Sequence, residues 1–290
     1  MKNVMKQIGK ALCYFILYFL GQSVVAFIIQ YGMGMYLGMQ MRASGMTMTQ
    51  EETIAYANNF YAENMGLDLA ARAIFTLAFL AIFFAIRKKK IAKELDLKKV
   101  PAKFYLPAIL GILFIMFTVN NCMSLLMPQD SLEEFQQASS VLYAYPLWQA
   151  ILANVLLVPI LEEVIFRGVL FSRLQKAMPN VVVAIITSAL FGLMHGQALW
   201  MLFAFIMGLV VSYVRVKTGS ILPTIVMHVI NNLYATLVSY AIIKITSAPI
   251  VITMMILGVI SMAGCIILMK KFTKEEATIS AKAEVSTVVI

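Results

Sequence analysis

The residues best suited to chemistry lie in three short patterns in the second half of the chain. Glu162 and Glu163 are adjacent, and Arg167 follows four residues after the second, in Leu-Glu-Glu-Val-Ile-Phe-Arg-Gly. His195 closes Phe-Gly-Leu-Met-His, and His228 and Asn232 are again four apart, in His-Val-Ile-Asn-Asn. Neighbouring residues on a helix point about 100° apart, so the two glutamates cannot share one target. Residues four apart share a face. Glu163 is therefore expected to pair with Arg167, leaving Glu162 free to face another helix. Such a carboxylate suits proton abstraction from water. His228 and Asn232 could donate hydrogen bonds to a developing oxyanion; equally, imidazoles with a carboxylate could bind a divalent cation. Ser188 lies two turns before His195, but no Ser or Cys is tied to the histidines. Water is the simpler nucleophile.

The elements that carry these groups are greasy. Of 290 residues, 61% are apolar or aromatic, only 13% are charged, and mean hydropathy is +0.87. Soluble domains run about 45–50% apolar and about 25% charged. The composition excludes a disordered chain, a disulfide scaffold and a nucleic-acid module. Spanning helices need about 20 mostly apolar residues. That length predicts an all-α polytopic membrane protein with about eight spans, near 11–33, 69–86, 105–127, 146–166, 181–197, 199–216, 221–243 and 249–269. Residues 1–140 read as N-terminal spans with two outer polar loops, 141–245 as the transmembrane core that carries the three patterns, and 246–290 as the last span and a polar tail. A charge at mid-bilayer costs about 2.5–3.5 kcal/mol on insertion scales. Several ionisable groups on three helices, all in one half of the chain, point to function rather than packing.

The net charge of +9 has a mundane cause, since Lys and Arg favour the cytoplasmic side. With both termini cytoplasmic, 20 of the 23 basic residues fall on that side, and only Arg42, Arg72 and Lys244 do not. The cluster Arg87–Lys90 reads as a topology anchor, with attraction to anionic lipid as a secondary role. The stretch 39–68 and a second one holding Asp130, Glu133 and Glu134 read as solvated outer connectors. Cys13, Cys122 and Cys265 sit singly in apolar runs, without metal or redox spacing. The N-terminal run has no A-x-A site and is expected to be an uncleaved first helix. The ending Ser-Thr-Val-Val-Ile has no cysteine for prenylation.

The spacing also sets a geometric problem. At 1.5 Å per residue, His195 would lie about 20 Å into its helix but His228 only about 11 Å into its own. The groups meet only if a helix tilts, extends into the cytosol, or breaks at Gly192 or Gly196. Pro159, three residues before Glu162, is expected to interrupt the backbone ladder there.

Taken in order, Glu162-Glu163-x-x-x-Arg167, Phe191-x-x-x-His195 and His228-x-x-x-Asn232 resemble the CPBP family, the CAAX-protease and bacteriocin-processing (Abi) intramembrane peptidases. The resemblance covers roughly residues 145–240; residues 1–140 match nothing nameable, and such proteins vary there. It implies an endopeptidase acting near the cytoplasmic membrane face. Glu162 would activate water with help from His195, His228 and Asn232 would hold the oxyanion, and Glu163 with Arg167 would organise the site. Zinc on Glu162, His195 and His228 is the implied cofactor if a metal is used, although a metal-independent mechanism is equally compatible, because HExxH is absent. The implied partners are a lipid bilayer and a protein or peptide substrate, lipidated or transmembrane, with no nucleic acid. A bacterial plasma membrane and bacteriocin processing or self-immunity suit the composition. Two competitors are a proton-coupled transporter using Glu162 and His195, and a non-catalytic membrane scaffold or immunity protein. The transporter reading predicts two related halves, whereas the polar groups sit in one.

Overall fold

The computed structural model describes residues 2–45 and 48–240 and parts of 252–274, and every regular element among them is helical. In chain order these are α1 (Lys2–Ala43), α2 (Gln50–Ile86), the short α3 (Ile91–Glu94), α4 (Tyr105–Leu126) and α5 (Gln129–Val141). After them come α6 (147–174), α7 (Asn180–Leu193), α8 (Ala198–Thr218) and α9 (Leu222–Ser239). Among the described residues, four helices are long and apolar enough to cross a membrane: Val4–Ala43, Gln50–Ile86, Ala102–Leu126 and Ala198–Thr218. The described residues between 252 and 274 are helical, while Cys265, Lys244 and the tail after Lys274 lie outside the described residues.

Several boundaries differ from the sequence reading, each for a local reason. The expected outer connector at 39–68 is almost all helix, because α1 runs on to Ala43 and α2 begins at Gln50. Thr49 starts α2 with a capping box: its hydroxyl accepts from Glu52 N at 3.2 Å, and its own N–H donates to Glu52 Oε2 at 2.8 Å. That reciprocal pair satisfies two end groups and lets a polar segment enter the helix. The acidic connector is likewise a helix, the exposed α5. The span expected at 181–197 stops at Leu193, so fourteen-residue α7 is too short to cross alone. It turns back through Gly196, whose φ of +75° favours glycine, into α8. The break lies at one of the two glycines expected, and it leaves His195 in the turn rather than in a helix.

Helix α6 is central. It is α-helical at Leu147–Ala150, Val158–Glu163 and Phe171–Leu174 and π-helical at Ile151–Leu157 and Val164–Leu170. Pro159 is the second residue of the middle α segment, just after the first π stretch. A proline cannot donate to the ladder, and widened turns are a common accommodation at functional sites. Every residue from Glu163 to Ser172 is buried, so this helix has no lipid face there. One apolar cluster packs Phe166, Phe171 and Leu170 of α6 against Phe84 of α2 and Phe191 of α7. A second packs Ile112 and Met116 of α4 against Met207 and Val211 of α8 and Met227 of α9. In contrast, Phe27, Ile28 and Tyr31 on α1 are more than 60% exposed, as side chains facing lipid would be. The chain is an all-α, polytopic integral membrane protein.

Candidate active site

Where α6 meets α9, the adjacent glutamates diverge as their spacing requires. Glu163 is fully buried, and its Oε1 accepts from Arg167 Nη1 at 3.0 Å. The same oxygen lies 3.0 Å from His228 Nδ1. Glu162 points the other way, toward cavities, with its Oε2 3.5 Å from His228 Nε2. One imidazole thus spans both carboxylates. Because a carboxylate oxygen accepts, the His228 Nδ1 proton points at Glu163. Nε2 is then the nitrogen left to Glu162 and to anything bound beside it.

Arg167 is the largest fully buried side chain among the described residues. A lone buried guanidinium would be prohibitive. Here it is offset by Glu163, by the Gly208 carbonyl at 3.1 Å from Nη2, and by the face of Phe191, 4.7 Å from the guanidinium carbon. Gly208 is required at this approach. A Cβ there would sit 2.8 Å from Ser188 Cβ and 3.1 Å from Arg167 Nη2. Ser188 itself is fully buried behind the site and lines no cavity described at Glu162, so it is not placed as a nucleophile.

His195 reaches the same site from the turn after α7. Its Nδ1 lies 2.8 Å from the Phe191 carbonyl oxygen, which can only accept, so in the neutral ring the proton is on Nδ1 and Nε2 carries the lone pair. Phe191 meets three of the site's groups. Its ring makes edge contacts with His195 at 4.9 Å and His228 at 5.8 Å, and its face receives Arg167. Asn232 donates from Nδ2 to the Asn154 carbonyl in the first π segment at 2.8 Å, leaving a second amide N–H. The oxyanion pairing expected for His228 and Asn232 is therefore uneven, with His228 already engaged by Glu163 and Asn232 by Asn154.

A cavity of about 360 Å³ is lined by Glu162, His195, His228 and Asn232 together, with Tyr143, Trp200 and Met207 among its walls. A second cavity of about 410 Å³ meets it at Glu162, Leu69, Val158 and Met194. Its far wall comes from α1 and α2, including Tyr18, Gln22 and Arg72. Arg72 is held by Asp68 one turn before it, through Nε at 2.8 Å and through Nη2. Glu162 is the ionisable group common to both spaces. Asn154, Trp200, Tyr143 and Arg72 were not singled out as site residues from the sequence, since only their positions in space connect them to the motifs.

A zinc ion on Glu162, His195 and His228 would need the three to converge. Each ring is oriented through Nδ1 by a protein acceptor, as metal-ligating histidines usually are. Yet among the described residues no group of three His, Cys, Asp or Glu side chains stands close enough to hold an ion. The arrangement does not fit a preformed zinc site.

Residues 144–234 match the family model described as Type II CAAX prenyl endopeptidase Rce1-like, the stretch on which the three motifs stand. The chain is also 29% identical over 105 residues to "Putative membrane peptidase YdiL" of Bacillus subtilis (strain 168). That stretch is 36% of this chain and 42% of the relative, so less than half of that protein is covered. No solved structure matches the chain. The resemblance stated from the motifs holds over residues 144–234, and the N-terminal helices lie outside that stretch.

Proposed function

We propose that this chain, Rce1-like over residues 144–234, is an intramembrane endopeptidase that hydrolyses a peptide bond with water activated by Glu162. The observation that carries the reading is the placement of His228 across Glu162 and Glu163, in a cavity also lined by His195 and Asn232. Glu162 takes a proton from water, and the hydroxide oxygen bonds to the substrate carbonyl carbon. The developing oxyanion is met by the free amide N–H of Asn232 and, when protonated, by His228 Nε2–H. The carbon–nitrogen bond then breaks as the proton held by Glu162 passes to the leaving amine. His195 Nε2 accepts a hydrogen bond from the attacking water. Glu163 and Arg167 take no proton; they fix the tautomer and orientation of His228.

The substrate is a protein or peptide presented from the bilayer, with the scissile bond at the junction of the two cavities. Lys and Arg clustering supports a site nearer the cytoplasmic face, and a CAAX-like carboxy-terminus is the leading substrate class. The match to a Bacillus relative supports a bacterial plasma membrane. The test is purified protein in vesicles with a panel of apolar fluorogenic peptides. Cleavage is expected from the wild type, with loss of at least about a hundredfold in Glu162→Gln at unchanged folding. Full activity in that variant would remove Glu162 as the base. Activity is expected to survive exhaustive chelation, and a metal-dependent return of activity would instead make Glu162, His195 and His228 ligands.

A further inference from the structure

Arg215 lies near the end of α8, where the charge pattern alone makes it a membrane-face anchor. The structure buries it to 3% exposure. Its Nε–H donates to the backbone carbonyl of Arg167 at 3.2 Å, inside the second π segment of α6. Its Nη2 pairs with the Asp96 carboxylate and lies 3.2 Å from Ser172 Oγ, which itself donates to Asp96 Oδ2 at 2.8 Å. The guanidinium plane lies over the Phe171 ring at 5.5 Å. The planar fork therefore touches a carbonyl, a carboxylate and a hydroxyl at once, which an ammonium cannot do.

Asp96 extends the connection to the third motif. Its φ of +52° is uncommon for a residue with a side chain. That conformation turns its carbonyl toward Ile221 N, 3.3 Å away, immediately before α9, the helix of His228 and Asn232. Ser220 Oγ donates to the Lys98 carbonyl at 2.7 Å and anchors the same junction. Leu95 is buried in the core that includes α6, and a Cβ on Gly168 would stand 3.0 Å from its Cδ2. The loop 95–98, far from the motifs in sequence, therefore holds α6 and α9 in register from below the site, with Arg215 of α8 as the link.

We infer that Arg215 and Asp96 are positioning residues for the hydrolytic site, setting the backbone at Arg167 and the start of α9 so that Glu163 and His228 meet. The inference rests on the proposed peptidase reading for its kinetic consequence, but its structural consequence stands without it. The experiment uses the full chain in phosphatidylethanolamine–phosphatidylglycerol vesicles, a fluorogenic apolar peptide, and amide hydrogen exchange on the same samples. Arg215→Lys retains the charge beside Asp96 but cannot span all three partners. Its kcat is expected to fall between about tenfold and about a hundredfold at unchanged KM, and the acid limb of its kcat/KM–pH profile to move. Exchange is expected to rise in 164–172 and 221–228 while the melting temperature stays near wild type. Asp96→Asn should show the same fall in kcat and rise in exchange, with a lower melting temperature at neutral pH, whereas Lys98→Gln, which alters only an exposed partner of Asp96, should match wild type.

Wild-type exchange and kcat in Arg215→Lys would overturn the inference. So would a loss of kcat that vanishes when rates are expressed per folded molecule. If the wild type cleaves no peptide but exchange still rises at both segments, the positioning role stands and the peptidase reading fails.

Discussion

His228 Nδ1 is 3.0 Å from Glu163 Oε1, an oxygen that also accepts from Arg167. The bond joins α6 to α9 across 65 residues of sequence. It gives the imidazole a fixed orientation in a region where side-chain polar groups have few alternatives. Hydrogen bonds to a charged partner in such surroundings contribute more than neutral ones.

Removing that carboxylate's charge leaves the buried Arg167 guanidinium with only the Gly208 carbonyl and the Phe191 face as partners. Glu163→Gln is expected to destabilise the fold by about 3–5 kcal/mol, the usual cost of breaking a buried pair from one side. Urea unfolding in detergent would measure it. A change under about 1 kcal/mol would mean that Phe191 and the Gly208 carbonyl suffice for Arg167.

Close backbone approach at α8 supplies a second expectation. Gly208→Ala forces a methyl against Ser188 and the Arg167 guanidinium, at a cost of about 1–3 kcal/mol for overpacking. Ser188→Gly removes the facing Cβ and should recover much of that loss in the double variant. Thermal melts of the four proteins give the coupling directly.

The turn carrying His195 depends on one positive φ. Gly196→Ala is expected to lose about 1–2 kcal/mol, because an L side chain strains the left-handed region. Gly196→Asn should lose less. No heavy atom lies within 4 Å of where a Cβ would stand at Gly196, so crowding would not explain a difference between the two. Equal melting temperatures for wild type and Gly196→Ala would contradict this account of the turn.

Asp96 lies in the loop outside the spanning helices and sets a pH dependence of stability. Burial alone would push its carboxyl up, but the Ser172 hydroxyl and the charges of Arg215 and Lys98 outweigh burial and hold it below the usual aspartate value. A group with a lowered folded value binds fewer protons when folded, so stability rises with pH through that range. The contribution is complete above the ordinary aspartate value, near 3.9, and is lost as pH falls through the lower folded one. Unfolding midpoints of wild type and Asp96→Asn, followed from neutral to acid pH, should converge at the acid end. Parallel curves would assign the effect elsewhere.

Much of the site could be read from spacing because it is built on helical periodicity. The separation of four between Glu163 and Arg167 put them on one face, and the pair is formed. The adjacency of Glu162 turned it away from Arg167 toward the cavities, where it meets the other nitrogen of His228. What spacing could not convey was the shared use of one glutamate oxygen by Arg167 and His228, since that is a relation between helices. The π-helical turns of α6 were also hidden, apart from the hint at Pro159. Residues 39–68 misled because polarity usually marks a connector, whereas capping at Thr49 and good helix formers carry α2 through it. Arg215 is one of the basic residues counted to the cytoplasmic side, and its burial is visible only with Asp96 beside it.

The wall that α1 and α2 contribute beside Glu162 has an evolutionary corollary. The proposed hydrolytic groups reside in one contiguous stretch, while much of the surface a bound chain would touch is encoded upstream. Exchanging the first two helices between homologues should thus retune which sequences are cut and leave the bond-breaking apparatus intact, a modularity that lets preference drift faster than chemistry.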